Sequence, residues 1–101
     1  MRDPQELEQV KAILSMVAEI APGHAVEVRI PPYAAIQCVE GPKHTRGTPP
    51  NVVEMNASTL FALVKGEASW SQSVEEGAIH ASGERSNLED LFLTVMNRMS
   101  A

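Results

Sequence analysis

Apolar residues near the start of the chain recur every three to four positions, the spacing of one face of an α-helix. Asp3 suits the N-cap, Pro4 suits the first helical position, and Glu6 can complete a capping box. Pro22-Gly23 ends the pattern. The first helix is therefore predicted to bury one apolar stripe, formed by Leu7, Val10, Ile13, Leu14, Val17 and Ile20.

The following segments have the patterns of β-strands. Residues 26–30 alternate between apolar and charged side chains, which predicts a strand with one buried face that ends at Pro31-Pro32. Residues 33–39 carry apolar side chains at both odd and even positions, which predicts a more central strand that is buried on both faces. Residues 52–55 predict a third strand, and the short alternation in residues 78–82 predicts a fourth.

Capping residues and glycines delimit three more helices. Asn56 can cap a short helix that ends at Gly66, and Ser69 can cap a second short helix. A capping box that begins at Ser86 predicts the start of the last helix. The apolar face of that helix consists of Leu88, Leu91, Phe92, Val95, Met96 and Met99.

The order of these elements predicts the fold class. A helix, three strands, two short helices, a strand and a helix indicate an α+β fold, with a mainly antiparallel sheet of four to five strands covered on one face by helices. A chain of 101 residues supports one core, so residues 1–101 are expected to form a single domain. Such layers can close tightly or leave an elongated apolar cavity between them, and the pattern alone leaves both arrangements open.

Composition and charge narrow the function. The formal net charge of −5 argues against nucleic-acid binding, which needs a basic surface. The single cysteine, Cys38, excludes an internal disulfide and fits a reducing compartment. No signal sequence is visible, and no apolar run approaches the ~20 residues of a membrane span. We therefore expect a cytoplasmic protein without a transmembrane segment.

Residues 41–51 form the longest irregular stretch of the chain. Three prolines and two glycines within these eleven residues prevent regular structure. Lys43, His44 and Arg46 concentrate positive charge in an otherwise acidic chain. Because long irregular loops tend to be functional or disordered, this loop is a candidate binding site.

Nothing in the sequence indicates catalysis. Cys38 has no histidine or basic partner nearby in sequence and is interpreted as a small buried residue. His24, His44 and His80 lack the spacing of metal ligands. We therefore expect no enzyme activity, no catalytic residue, no bound metal and no cofactor.

Three stretches give the chain a resemblance to a known family. They are residues 28–39, residues 41–54, which include Pro42-Lys43-His44-Thr45-Arg46-Gly47, and the motif Ser82-Gly83-Glu84-Arg85-Ser86. Together they resemble the bacterial sterol-carrier-family proteins, which are small, single-domain relatives, common in actinobacteria, of the sterol carrier proteins. The resemblance extends over roughly residues 24–95, and the loop is its most specific part.

The resemblance implies an α+β fold with helices on one face of a curved sheet and an apolar tunnel between the two layers. Known members accept fatty acyl chains, sterols or related lipids there, and they share no universal catalytic residue. The predicted function is therefore non-catalytic binding or carriage of a lipid or other apolar small molecule. Alternatively, the same residues meet and fill the core. The residues predicted to line the cavity are Leu60, Phe61, Val64, Trp70, Leu91, Phe92 and Val95.

The loop has two interpretations of its own. It could hold the carboxylate or phosphate of an amphipathic lipid, with Arg46 as a bidentate donor. Alternatively, it is structural, with Arg46 paired to Glu40 or Glu54. The residues predicted for head-group binding are His44, Thr45, Arg46 and Gly47.

A different class of function also fits the sequence. A small domain with a filled core could bind a protein partner through the 41–51 loop or a sheet edge, and it could form a homodimer. A large exposed apolar patch would favour this alternative, whereas an open apolar cavity would favour the lipid carrier.

Overall fold

The computed structural model of the chain describes residues 3–41 and 51–100. Within those ranges four helices and four strands follow one another in the predicted order, which confirms the α+β class. The elements are α1 (Pro4–Ile20), β1 (Val26–Ile30), β2 (Ala34–Cys38), β3 (Asn51–Met55), α2 (Ala57–Val64), α3 (Trp70–Glu75), β4 (Ile79–Ser82) and α4 (Glu89–Ser100).

The four strands form one mixed sheet in the order β2-β1-β3-β4. The two outer pairings are antiparallel, as predicted, but the central β1–β3 pairing is parallel. Val26, the first residue of β1, lies opposite Cys38 at the end of β2 and opposite Asn51 at the start of β3. The chain therefore leaves β2 and enters β3 at the same end of β1 but on its opposite sides, and this makes β3 parallel to β1.

β2 is an edge strand, so the prediction that it is a more central strand was wrong. Its apolar pattern comes partly from alanines, and Ala35 is exposed. An exposed alanine costs little because its apolar surface is small, so alanines at both parities do not indicate burial on both faces.

The helices cover one face of the sheet. Every second residue of β1 and β3 is buried, and the intervening residues, such as Glu27, Arg29 and Glu54, point to the other face. The core between the layers includes Val10, Leu14 and Val17 of α1, Val26, Val28, Ile30 and Val53 of the sheet, and Leu60, Phe92 and Val95 of α2 and α4. No helix in the described residues is both long and apolar enough to cross a bilayer.

Three of the predicted helix caps are confirmed. The Asp3 carboxylate accepts a hydrogen bond from the Gln5 N–H at 2.9 Å, and Asn56 Oδ1 accepts from Thr59 N–H at 2.9 Å. Ser69 Oγ likewise accepts from the Gln72 N–H at 3.2 Å at the start of α3. These caps satisfy amide groups that have no partner within the helix.

The start of α4 differs from the prediction. Ser86 is not its cap, because the Ser86 hydroxyl donates to the Gly83 carbonyl at 2.8 Å. Asn87 Oδ1 instead accepts from the Glu89 N–H at 3.1 Å, and α4 begins at Glu89. The turn after β4 therefore uses the serine, and the next polar residue takes over the capping role.

Candidate functional site

The predicted cavity residues are mostly buried against one another. Leu60 and Val95 are fully buried, and Val64, Trp70 and Phe92 are also buried, whereas Phe61 and Leu91 are partly buried against the core. Trp70 stacks on Phe92 with ring centroids 5.8 Å apart and an angle of 21° between the planes. Two of the three aromatic side chains of the predicted set therefore pack on each other.

A groove on the outside of the helical layer contains part of the predicted set. This α1–α2–α4 groove has a volume of about 310 Å³. Phe61 and Val64 contribute to its wall, while Met99 closes it from α4. Its full lining is Gln9, Ala12, Ile13, Phe61, Val64, Lys65 and Met99.

The chemistry of the α1–α2–α4 groove is that of a site for an apolar molecule with one polar end. The walls are aliphatic, aromatic and thioether groups, and the polar groups of its lining come from Gln9 and Lys65. Lys65 follows directly after α2 and is exposed, so its ammonium group lies at the water-facing margin. Ligand pockets in proteins usually combine such apolar walls with a few polar groups.

A second, much smaller groove contains two other predicted residues. This Trp70 groove has a volume of about 70 Å³, and Leu93 in its wall is 48% exposed. Leu60, Leu91 and Val95 line neither groove. The full lining of the Trp70 groove is Leu63, Ala68, Ser69, Trp70, Glu89, Phe92, Leu93 and Met96.

The predicted head-group residues, His44, Thr45, Arg46 and Gly47, lie outside the described residues, which end at 41 and resume at 51. The two flanks of this loop are described. Asn51 is buried, and its Nδ2 donates to the Ala25 carbonyl at 2.8 Å while its Oδ1 accepts from the Arg85 N–H at 3.0 Å. The flank at Gly41 is equally close-packed, because a Cβ there would lie 2.8 Å from Ala25 Cβ.

A second tight contact lies on the preceding flank. Val39 adopts a positive φ of 67°, which is uncommon for a β-branched residue, and its carbonyl accepts from the Ala25 N–H at 3.0 Å. Gly23 passes so close that a Cβ on it would lie 2.1 Å from the Val39 carbonyl oxygen. The chain is therefore closely packed on both sides of the loop, by backbone contacts before it and by the Asn51 side chain after it.

Comparison with known protein families shows which family the chain belongs to. A family model described as a bacterial SCP (sterol carrier protein) ortholog matches residues 3–93. The chain belongs to the bacterial SCP ortholog family. The match includes α1, all four strands, α2, α3 and the first part of α4.

One solved structure similar to this SCP ortholog is the crystal structure of Sterol Carrier Protein-2 like-3 from Aedes aegypti. The two share 13% sequence identity with a TM-score of 0.42, and the alignment covers 90% of this chain and 96% of that chain. No curated protein sequence matches the chain significantly.

Cys38 has the properties of a packed core residue of this SCP ortholog. It is fully buried, and loss of solvation on burial raises the pKa of its thiol to about 11. At neutral pH the thiol is therefore protonated, and it is the thiolate that acts as a nucleophile. Among residues 3–41 and 51–100, no three histidine, cysteine or acidic side chains come together as metal ligands.

Sequence reasoning missed most of the groove. Ile13 and Met99 were assigned to apolar stripes, and Gln9 and Ala12 carried no signal. The groove forms where three helices meet, so its lining depends on how they cross. The one local hint was that Phe61 and Val64 are three residues apart on α2, followed by a lysine.

Proposed function

We propose that this SCP ortholog binds a lipid or other apolar small molecule non-covalently in the α1–α2–α4 groove. The observation that carries the proposal is the groove itself, with apolar walls, a polar margin and a volume of about 310 Å³. That volume is at the lower end of the roughly 300–1,000 Å³ usual for ligand pockets. Membership of the SCP ortholog family supports the same class of ligand.

The driving force would be burial of the ligand's apolar surface against Ile13, Phe61 and Val64. Each buried methylene contributes about 0.8 kcal/mol, which corresponds to about a fourfold gain in affinity. Lys65 at the margin would favour a ligand whose polar end stays in water near a positive charge. The proposed role involves no catalytic step and no cofactor, and we propose the cytoplasm as its location because the lone cysteine fits a reducing compartment.

The first test is native mass spectrometry of the purified protein, followed by organic extraction of whatever co-purifies. We expect a stoichiometric adduct of an apolar small molecule. Displacement of the fluorescent probe ANS by fatty acids would then measure affinity. A clean mass together with no saturable binding of fatty acids or sterols would reject the proposal.

A matched pair of variants tests the position of the site. Ala12 is exposed on α1 and lines the groove, so Ala12→Phe places a ring in the binding space without removing core packing. If the ring excludes about two methylenes of the ligand, the affinity falls by up to roughly fifteenfold. Ser15→Phe adds the same ring at an exposed position of α1 outside the groove lining. Equal affinities of the two variants would exclude this groove as the site.

A second candidate function is protein binding at a sheet edge. The observation that favours it is a shallow concave surface of about 490 Å³ along edge strand β4, next to Val74 of α3, which is 38% exposed. An extended partner segment, including a second copy of the chain, could add a strand there. Sedimentation of the purified protein as a concentration-dependent dimer, together with absent lipid binding, would favour this candidate.

A further inference from the structure

The two apolar grooves of the helical layer lie next to each other. Val64 lines the α1–α2–α4 groove and its neighbour Leu63 lines the Trp70 groove, so the end of α2 borders both. On α4, Met99 lines the first groove and Met96, nearly one turn earlier, lines the second. The boundary between the grooves therefore lies where the end of α2 meets the second half of α4.

Gly66 and Met96 meet at this boundary. Gly66 follows α2 with a φ of +76°, and a Cβ built on it would lie 3.1 Å from Met96 Sδ. The methionine sulfur therefore occupies the space that a side chain at position 66 would need. Met96 is only partly buried, and an unbranched thioether can change rotamer at low cost.

We propose that Met96 is a movable partition between the two grooves and that it determines the length of apolar chain the protein accepts. This inference rests on the proposed function. The Trp70 groove, at about 70 Å³, is far below the usual size of a ligand pocket. It could therefore hold part of a ligand only as an extension of the larger groove. A short chain fits beside Phe61 and Met99, whereas a long chain displaces Met96 from Gly66 and continues towards Trp70.

Trp70 provides a built-in sensor for this extension. It is the only tryptophan of the chain and lines the second groove but not the first. The probes are octanoate, dodecanoate and palmitate, each kept below its micelle concentration, with binding measured by calorimetry and Trp70 emission recorded in parallel. In the unchanged protein we expect octanoate to bind without altering Trp70 emission and palmitate to bind with a clear change.

Two substitutions at Met96 should shift, in opposite directions, the chain length at which a fatty acid begins to alter Trp70 emission. Met96→Ala removes the partition, so Trp70 should respond to dodecanoate as strongly as to palmitate. The affinity should also continue to rise, by at most about fourfold per methylene, over a longer range of chain lengths. Met96→Phe is expected to strengthen the partition, so palmitate should leave Trp70 emission unchanged. The affinity for palmitate should then fall to the affinity for dodecanoate.

Met16→Ala is the matched control, because it truncates another partly buried methionine that lines neither groove. Circular dichroism and thermal unfolding identify any variant that is not folded. If octanoate and palmitate alter Trp70 emission equally, or if both Met96 variants keep the length profile of the unchanged protein, the inference is wrong. Absence of saturable binding for all three acids would instead reject the proposed function on which it rests.

Discussion

Asn51 is a polar side chain buried to 5% exposure at the start of β3, and it joins three parts of the chain. It donates to the Ala25 carbonyl just before β1 and accepts from the Arg85 N–H just after β4. Asn51→Ala removes both hydrogen bonds at once. The substitution therefore tests whether this residue fixes the end of the sheet at which residues 41–51 connect β2 to β3.

The loss of stability caused by Asn51→Ala comes from the two backbone groups that lose their hydrogen-bond partner. Ala25 is 4% exposed, so its carbonyl would lose a partner where water has little access, at a cost of about 1–3 kcal/mol. Arg85 is exposed, so its N–H can turn to water at a lower cost. We expect a total loss of about 2–3 kcal/mol and a fall in Tm of roughly 10 °C or more.

Urea unfolding followed by Trp70 emission measures this loss. The midpoint should fall while the slope m stays constant, since the substitution changes stability rather than the surface exposed on unfolding. Asn51→Asp keeps the acceptor for Arg85, but it loses the donor to Ala25 and places a buried carboxylate beside that carbonyl oxygen, so it should be at least as destabilising. Asn97→Ala, at an exposed position of α4, is the control. A loss below about 0.5 kcal/mol for Asn51→Ala, indistinguishable from the control, would refute the reasoning.

Two further predictions concern the backbone and the buried thiol. Gly23→Ala should cost about 3 kcal/mol or more, because the new Cβ would lie 2.1 Å from the Val39 carbonyl oxygen. Gly77→Ala, with a φ of +81° but nothing within 4 Å, should cost only about 1 kcal/mol, and equal losses in urea would contradict this. The pKa of Cys38 rises from 9.0 to about 11 on folding, so the contribution of this thiol to stability should be constant well below pH 9 and fall by about 2 kcal/mol as the pH rises to 11. Cys38→Ala should lack that fall.

Local rules accounted for most of the secondary structure. Asp3, Asn56 and Ser69 cap helices as predicted, because a cap depends on residues within one turn. Glu6 was expected to bind the Asp3 N–H, which instead donates to Tyr33 Oη at 3.3 Å, thirty residues away in sequence. Ser86 failed for a different and local reason, because its hydroxyl donates to the Gly83 carbonyl three residues earlier in the same turn. Where another hydrogen-bond partner competes, whether distant in sequence or within the same turn, the capping pattern no longer decides.

Strand order and the site were less accessible from the sequence. Nothing within β3 indicates that it lies parallel to β1, since that depends on where the preceding connection returns. The helical stripe that contains Leu60 and Val64 has the same spacing whether it meets other helices or a ligand. Leu60 is fully enclosed, whereas its neighbour Phe61 faces a groove, and only the crossing of α1, α2 and α4 separates these two cases.

The burial of the predicted cavity residues has a consequence for how a ligand would be held. Because Leu60, Phe92 and Val95 are buried in the core, a ligand in the α1–α2–α4 groove would lie at the surface of the helical layer. One side of its chain would contact Phe61 and Met99, and Met99 is itself 43% exposed. Each methylene would then gain less than the full value of about 0.8 kcal/mol for complete burial. We therefore expect weaker binding and faster release than an enclosed tunnel would give, with displacement of Met96 as the step that adds buried length and slows release.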